Sequence, residues 1–242
     1  MAPSKTMFYQ IKQLKGKPVA YKADYVFTYF RRIIIGSLIL LICIGSLVYH
    51  FLNRKESVFN TICINSSTDS QSIGAYSDTI STYLRLDNPK QIVYFYSDIR
   101  LSDHATSDYY QNMSRLFTLV ATGDADTITG DLDILLQLAY SDYFENLSTI
   151  LPEKDFNRFA PYFLYIDTAL IEASATGNIL SSYPDPTDPS QMANPVPVLI
   201  QIPPSSSFID TVYPLNSSDI SIGIVVSSPH LQNALHFLDF II

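Results

Sequence analysis

The pattern of apolar and polar positions splits the chain at residue 52. Ile33 to Leu52 reads IIIGSLILLICIGSLVYHFL without a charged side chain. Twenty helical residues at 1.5 Å each span roughly 30 Å, the thickness of a bilayer's hydrocarbon core, so this run predicts a transmembrane helix. Beyond it the apolar positions come in short groups. Val58 to Asn65 (VFNTICIN) alternates as a strand does, and Ser77 to Leu86 reads as a short helix. Gln91 to Ser97 (QIVYFYS), rich in β-branched and aromatic residues, marks a second strand after Asn88-Pro89.

Asp108 to Thr122 predicts an amphipathic helix, with Tyr110, Met113, Leu116, Phe117, Val120 and Ala121 on one face at spacings of three and four. Gly123 follows as a left-handed C-cap. Asp126 to Thr129 is then a brief strand, Gly130-Asp131 a turn and cap, and Leu132 to Tyr140 a further helix. Tyr162 to Ile166 reads as a strand. Five prolines between Tyr183 and Pro197 argue for an exposed loop, and Val198 to Ile202 is a short strand closed by Pro203-Pro204. Last come a strand, Ile220 to Val226, and a helix with Ser228 as N-cap and Pro229 at its first position. Strand and helix alternate with short connections, which predicts one compact α/β domain over residues 57–242, a mostly parallel sheet with helices on both faces.

Charge sets the orientation. Residues 1–32 carry seven cations against Asp24, and Arg31 and Arg32 abut the apolar run. Basic flanks stay cytoplasmic, so residues 1–32 are expected inside and residues 57–242 outside, with 33–52 as an uncleaved signal anchor in the cell membrane. A cleaved signal peptide is disfavoured, because its apolar region is about 7 to 15 residues and lies close to the N-terminus. Ile42 before Cys43 is too large for a lipoprotein site. The outer segment holds 22 acids and six cations from Glu56 onward, a net charge of −16, which makes nucleic acid and anionic lipid poor partners. With Cys63 alone outside, no internal disulfide is available. Asn65, Asn112, Asn146 and Asn216 each open an N-x-S/T triplet, which arises readily by chance in so polar a chain.

Candidate chemistry is sparse. Asp124, Asp126, Asp131 and Asp133 form the densest acidic cluster, but their spacing fails a calcium loop, since Ile128 and Thr129 stand where a ligand and a glycine belong. His50, His104, His230 and His236 offer no zinc spacing. No G-x-S-x-G elbow and no Gly-rich phosphate loop occurs, so no enzyme, metal or cofactor is expected. Cys63 falls on a strand, where a packed inert thiol is the ordinary case.

The stretch from Arg115 to Leu151, with Gly123-Asp124, Asp126, Gly130-Asp131 and Tyr143-Phe144…Leu147, resembles a segment of extracytoplasmic solute-binding proteins of the type II periplasmic-binding fold. Asp142 stands where that family usually has glycine. The ending SIGIVVSSPHLQNALHFLDFI is similar to the same family's late strand and helix, with Asn233-Ala234 and Phe237-Leu238 matching. Lys22 to Arg32, with Tyr21, Tyr25 and Tyr29 at four-residue spacing, resembles the juxtamembrane segment of single-span proteins from Gram-positive bacteria (Firmicutes) that carry such a domain outside. The resemblance implies a reduced solute-binding-like domain acting by non-covalent recognition, since the outer segment is about half the length of a two-lobed receptor. Its partners are then a small-molecule ligand or a neighbouring membrane protein. The alternative is a surface interaction module that has kept the fold and lost the pocket.

Open α/β sheets place ligands beyond the carboxyl ends of their strands. That rule selects Asn65, Ser66, Ser97, Asp98, Gly130, Asp131, Ser227 and Ser228, with Tyr96 and Tyr143 as cleft aromatics. The plainer alternative is that these are turn residues serving backbone needs.

Overall fold

A computed structural model of the chain describes residues 16–101, 106–175, 183–215, 219–226 and 228–242; Ser227, Asn216 and His104 lie outside the described residues. The chain forms two compact units, Met1–Arg54 and Lys55–Ile242. In the first, helix α1 (Val19–Leu52) begins well before the predicted span, directly after Pro18. Its stretch Arg31–Leu52, 22 residues of mean hydropathy 2.3, has no buried residue and is long and apolar enough to cross a membrane. Tyr21 is exposed, and the side chains of Tyr25 and Tyr29 are outside those described.

The second unit is α/β. Among the described residues, strands β1 (Glu56–Cys63), β2 (Gln91–Tyr96), β3 (Thr127–Asp131), β4 (Phe163–Asp167), β5 (Pro195–Gln201) and β6 (Ile220–Ile224) form one open sheet in the order β2-β1-β3-β6-β5-β4. The sheet is mixed, which corrects the expectation of a mostly parallel one. β1 runs parallel to β2 and β3, but β6 is antiparallel to both β3 and β5, and β4 is antiparallel to β5. A strand's own residues alternate with a period of two whichever way it runs, so its direction was not in its pattern.

Both faces are covered, as expected. Helices α2 (Ser70–Tyr83), α8 (Ser207–Val212) and α9 (Leu231–Ile241) pack with α5 (Leu147–Ile150) and α6 (Glu153–Phe159) on Phe59, Cys63, Val93, Phe95 and Ile222. On the other face α3 (Ser107–Ala121) and α4 (Leu132–Ala139) cover Ile62, Ile64, Ile128, Leu164 and Leu199. Helix α7 (Thr168–Ala175) follows β4. Adjacent residues Ile62 and Cys63 enter opposite cores, as the pleat requires.

Local signals decide most helix ends. α2 starts seven residues before the expected Ser77 because the Asp69 carboxylate accepts the N–H groups of Gln71 and Ser72. Gly123 caps α3 as read, at φ +74°, with the Asp124 N–H donating to the Leu119 carbonyl and the Gly123 N–H to that of Val120, the two bonds of a Schellman turn. Other readings need correction. Gly130 and Asp131 continue β3, paired with Ser221 and Ile220, and Asp131 gives no side-chain cap to α4. Pro195 and Pro197 lie inside β5; they are tolerated because β6 pairs only with Leu199 to Gln201, leaving the start of β5 bonded on one side. Ser228 and Pro229 precede α9, which begins at Leu231.

The tightest packing is on β6. A Cβ at Gly223 would meet the ring of Phe144 (2.6 Å to Cε1) and Leu199 Cδ2 (2.7 Å), both buried. Gly223→Ala is therefore expected to destabilise the domain by about 1–3 kcal/mol, as overpacking does. A lower thermal midpoint checks this, and an unchanged one would show that the ring and Leu199 yield without cost.

Candidate functional site

The carboxyl ends of β1, β2 and β3 share one edge of the sheet, and six of the proposed residues lie there in two groups. Asn65, in left-handed backbone at φ +57°, donates from its amide to Asp131 Oδ2 (3.0 Å), accepts the Leu101 N–H (2.8 Å), and donates its own N–H to the Ile99 carbonyl (3.0 Å). Ser66, fully buried, donates its hydroxyl to the Val212 carbonyl at the end of α8 (2.8 Å). These polar groups hold the strand ends together and are occupied in doing so. Gly130 lies against Ile64, where a Cβ would sit 3.0 Å from the Ile64 Cβ.

Ser97 and Asp98 lie at the sheet's outer edge, in an open groove of about 360 Å³ between α2 and the edge strand β2. Ser70, Ile73, Gly74 and Ser77 form one wall and Val93, Tyr94 and Phe95 the other. The α2 wall lies before the helix start expected at Ser77, and Asp69 ahead of an Ile73, Tyr76, Ile80 stripe is the local signal for it. Arg115 donates to Asp98 Oδ2 at 2.6 Å, and this contact holds the Asp98 carboxyl below the usual carboxylate range. Tyr96 lies outside the groove lining, with its ring 4.6 Å from that of Tyr94, and burial raises its hydroxyl's pKa. The groove thus offers an apolar wall, hydroxyls and one carboxylate.

Ser228 sits at the opposite edge, because β6 runs against β3. There it joins Asp126, whose side chain is fully buried. Asp126 accepts the Asn60 N–H (2.7 Å), the Ser228 hydroxyl (2.6 Å) and the His230 N–H (3.1 Å), and His230 Nδ1 lies 3.1 Å from Oδ2. A nucleophilic triad requires the serine hydroxyl on the imidazole, whereas here serine and histidine both bond the carboxylate. The arrangement ties β1, β3 and the start of α9 together; it is a structural hub. The four-aspartate cluster of the sequence is thereby divided, with Asp126 just before β3 and Asp131 at its end, about 16 Å of strand apart. Among the described residues no group of three His, Cys, Asp or Glu side chains is placed to hold a metal ion.

Two further buried groups are explained by their surroundings. Burial pushes the Cys63 thiol up to about 12, against the smaller opposing effect of hydrogen bonds with Thr129 and Thr61, so it is inert as expected. Burial of Asp167 at the end of β4 would raise its pKa, but the N–H groups of Ala193, Asn194 and Ala169 all donate to it and together hold it below the ordinary value. Two of these three donors come from 26 and 27 positions later in the chain, so no local pattern marks Asp167 as a site.

No known protein family matches the chain, and no curated protein or solved structure matches it either.

Asp126→Ala leaves three interior donors without their acceptor and is expected to cost about 3–5 kcal/mol, whereas Asp98→Ala, which removes an exposed ion pair, should cost under about 1 kcal/mol. Urea unfolding of the two variants distinguishes hub from surface contact. Asp167 has its folded pKa depressed, so its stabilisation is fully present above its unfolded value of about 3.9 and is lost as pH falls through the folded value. The acid limb of a stability-against-pH curve should accordingly be shallower in Asp167→Asn than in the parent chain.

Proposed function

We propose that this chain is a membrane-anchored, extracytoplasmic, solute-binding-like protein that works by non-covalent recognition and carries out no reaction. The observation that carries the reading is the groove between α2 and β2, which runs into Ser97 and Asp98 at the carboxyl edge of a parallel strand pair. This is where an open α/β sheet presents ligands. At about 360 Å³ the groove is at the small end of ordinary ligand sites, matching an amino acid, short polyamine or monosaccharide. The unburied apolar stretch of α1 supports the anchor, and the basic residues 1–32 support a cytoplasmic N-terminus.

A second reading, an interaction module without a small ligand, is favoured by one specific feature. Asn65, Ser66 and Asp131, at the centre of the carboxyl edge, spend their polar groups on each other and on neighbouring backbone.

Two measurements test the proposal on the full chain. Thr79 is exposed, Cys63 is buried and Cys43 lies within the apolar run, so Thr79→Cys adds one reactive thiol to a silent background. A membrane-impermeant maleimide should label it on intact cells; protection there would place the domain inside. In lipid nanodiscs, at least one compound among amino acids, short peptides, polyamines and sugars should raise the thermal midpoint. Gly74→Leu should abolish that shift, because open space surrounds a Cβ at Gly74 and the new side chain would occupy the groove. No shift with any compound would remove the small-ligand reading and leave the interaction module.

A further inference from the structure

The helix α3 carries more apolar surface than the sheet uses. The sequence puts Tyr110, Met113, Leu116, Phe117, Val120 and Ala121 on one inward face, but α3 buries Leu116 completely and leaves Tyr110 66% and Phe117 61% exposed. Tyr110 stands three residues before Met113 and Phe117 four after it, so the three side chains form one ridge along the helix. Met113 also lines a cavity of about 200 Å³ between α3 and α4, together with Tyr109, Ile134, Leu138 and Tyr143. Ridge and cavity make an apolar groove with a pocket in its floor.

The pocket is smaller than ordinary small-ligand sites, which run from about 300 Å³. Its size is that of one or two large side chains, the kind of cavity that takes an anchor residue at a protein interface. Charge selects the partner. Asp133 lies one turn before Gln137 on α4, and Asp142 stands between Ser141 and Tyr143, all three lining residues; both aspartates are exposed. Between residues 107 and 150 the one cation is Arg115, and it is held by Asp98. A second copy would bring the same acidic rim against itself, since residues 56–242 carry a net −16, and anionic lipid would be repelled.

We infer that the α3–α4 groove is a docking site for a basic amphipathic helix of a partner protein, one large apolar side chain seated in the Met113 pocket and its Lys or Arg side chains meeting Asp133 and Asp142. An amphipathic helix laid in a hydrophobic groove is a common recognition mode, and the acidic rim adds sign and orientation. This site lies across the sheet from the core under α2 and does not depend on the small-ligand groove, so either can fail without the other.

The test uses the full chain in neutral phosphatidylcholine nanodiscs, with empty discs as background. The probe is a fluorescent amphipathic Leu/Lys helical peptide, compared with a sequence-scrambled peptide of the same composition. The helical probe should bind at least about tenfold more tightly than the scrambled one, a margin of about 1.4 kcal/mol. Combining Tyr110→Ser with Phe117→Ser should erase that margin with the thermal midpoint unchanged, since both side chains are exposed. Phe117→Leu should restore part of it, and joint Asp133→Lys and Asp142→Lys should weaken the helical probe while leaving the fold intact. Equal binding of the two peptides would mean charge attraction alone and overturn the inference, as would full binding by the double serine variant. A dimer of the full chain that the double serine variant dissolves would assign the groove to a second copy and overturn it too.

Discussion

The α/β domain depends on β6, the last strand among the described residues, lying in the middle of the sheet. It pairs over five residues with β3 and over three with β5, and it alone joins the parallel trio β2-β1-β3 to the antiparallel pair β5-β4. That position constrains its residues. Ile220, Ile222 and Ile224 enter one core, while on the other face Gly223 makes room for the Phe144 ring and Leu199. The sheet is therefore joined by residues late in the sequence, and among the described residues its two halves share no other ladder.

The direction of β6 also divides the chemistry between two edges. At one edge the ends of β1, β2 and β3 gather Asn65, Ser66, Ser97, Asp98 and Asp131; at the other, Asp126 receives Asn60, Ser228 and His230. Both edges hold a bonded carboxylate, but the surroundings differ. Asp126 is fully buried with donors on both oxygens, and such a group is strongly destabilising once its partners are removed. Asp98 is exposed with one arginine partner, in contact with solvent and with an open groove. An exposed, solvent-screened pair of this second kind contributes little to stability.

Surface composition and architecture set the character of this domain's exterior. It is strongly acidic, its cations at Arg115 and Arg158 are paired with aspartates, and its exposed apolar side chains include a ridge on α3 beside acidic residues. A helix stripe wider than its own sheet needs leaves apolar area in water, which marks an interaction surface more often than an accident of packing.

Much of this was legible in the residues themselves. The Ile33 to Leu52 run, the Gly123 cap, the aromatic strand at Gln91, the burial of Cys63 and the α/β class each rest on neighbours within a few positions, and local sterics, capping and hydrophobic periodicity act over that range. What the tertiary structure decided is long-range. The antiparallel insertion of β6, the separation of Ser228 from the other proposed site residues, the roles of Asp126 and Asp167, and the roll of α3 that exposes Tyr110 and Phe117 all depend on partners 26 to 104 positions away or on which of two apolar ridges meets the sheet. A strand has the same alternation in either direction, and a carboxylate the same formula whether it meets solvent or three interior donors; only the folded chain chooses between them.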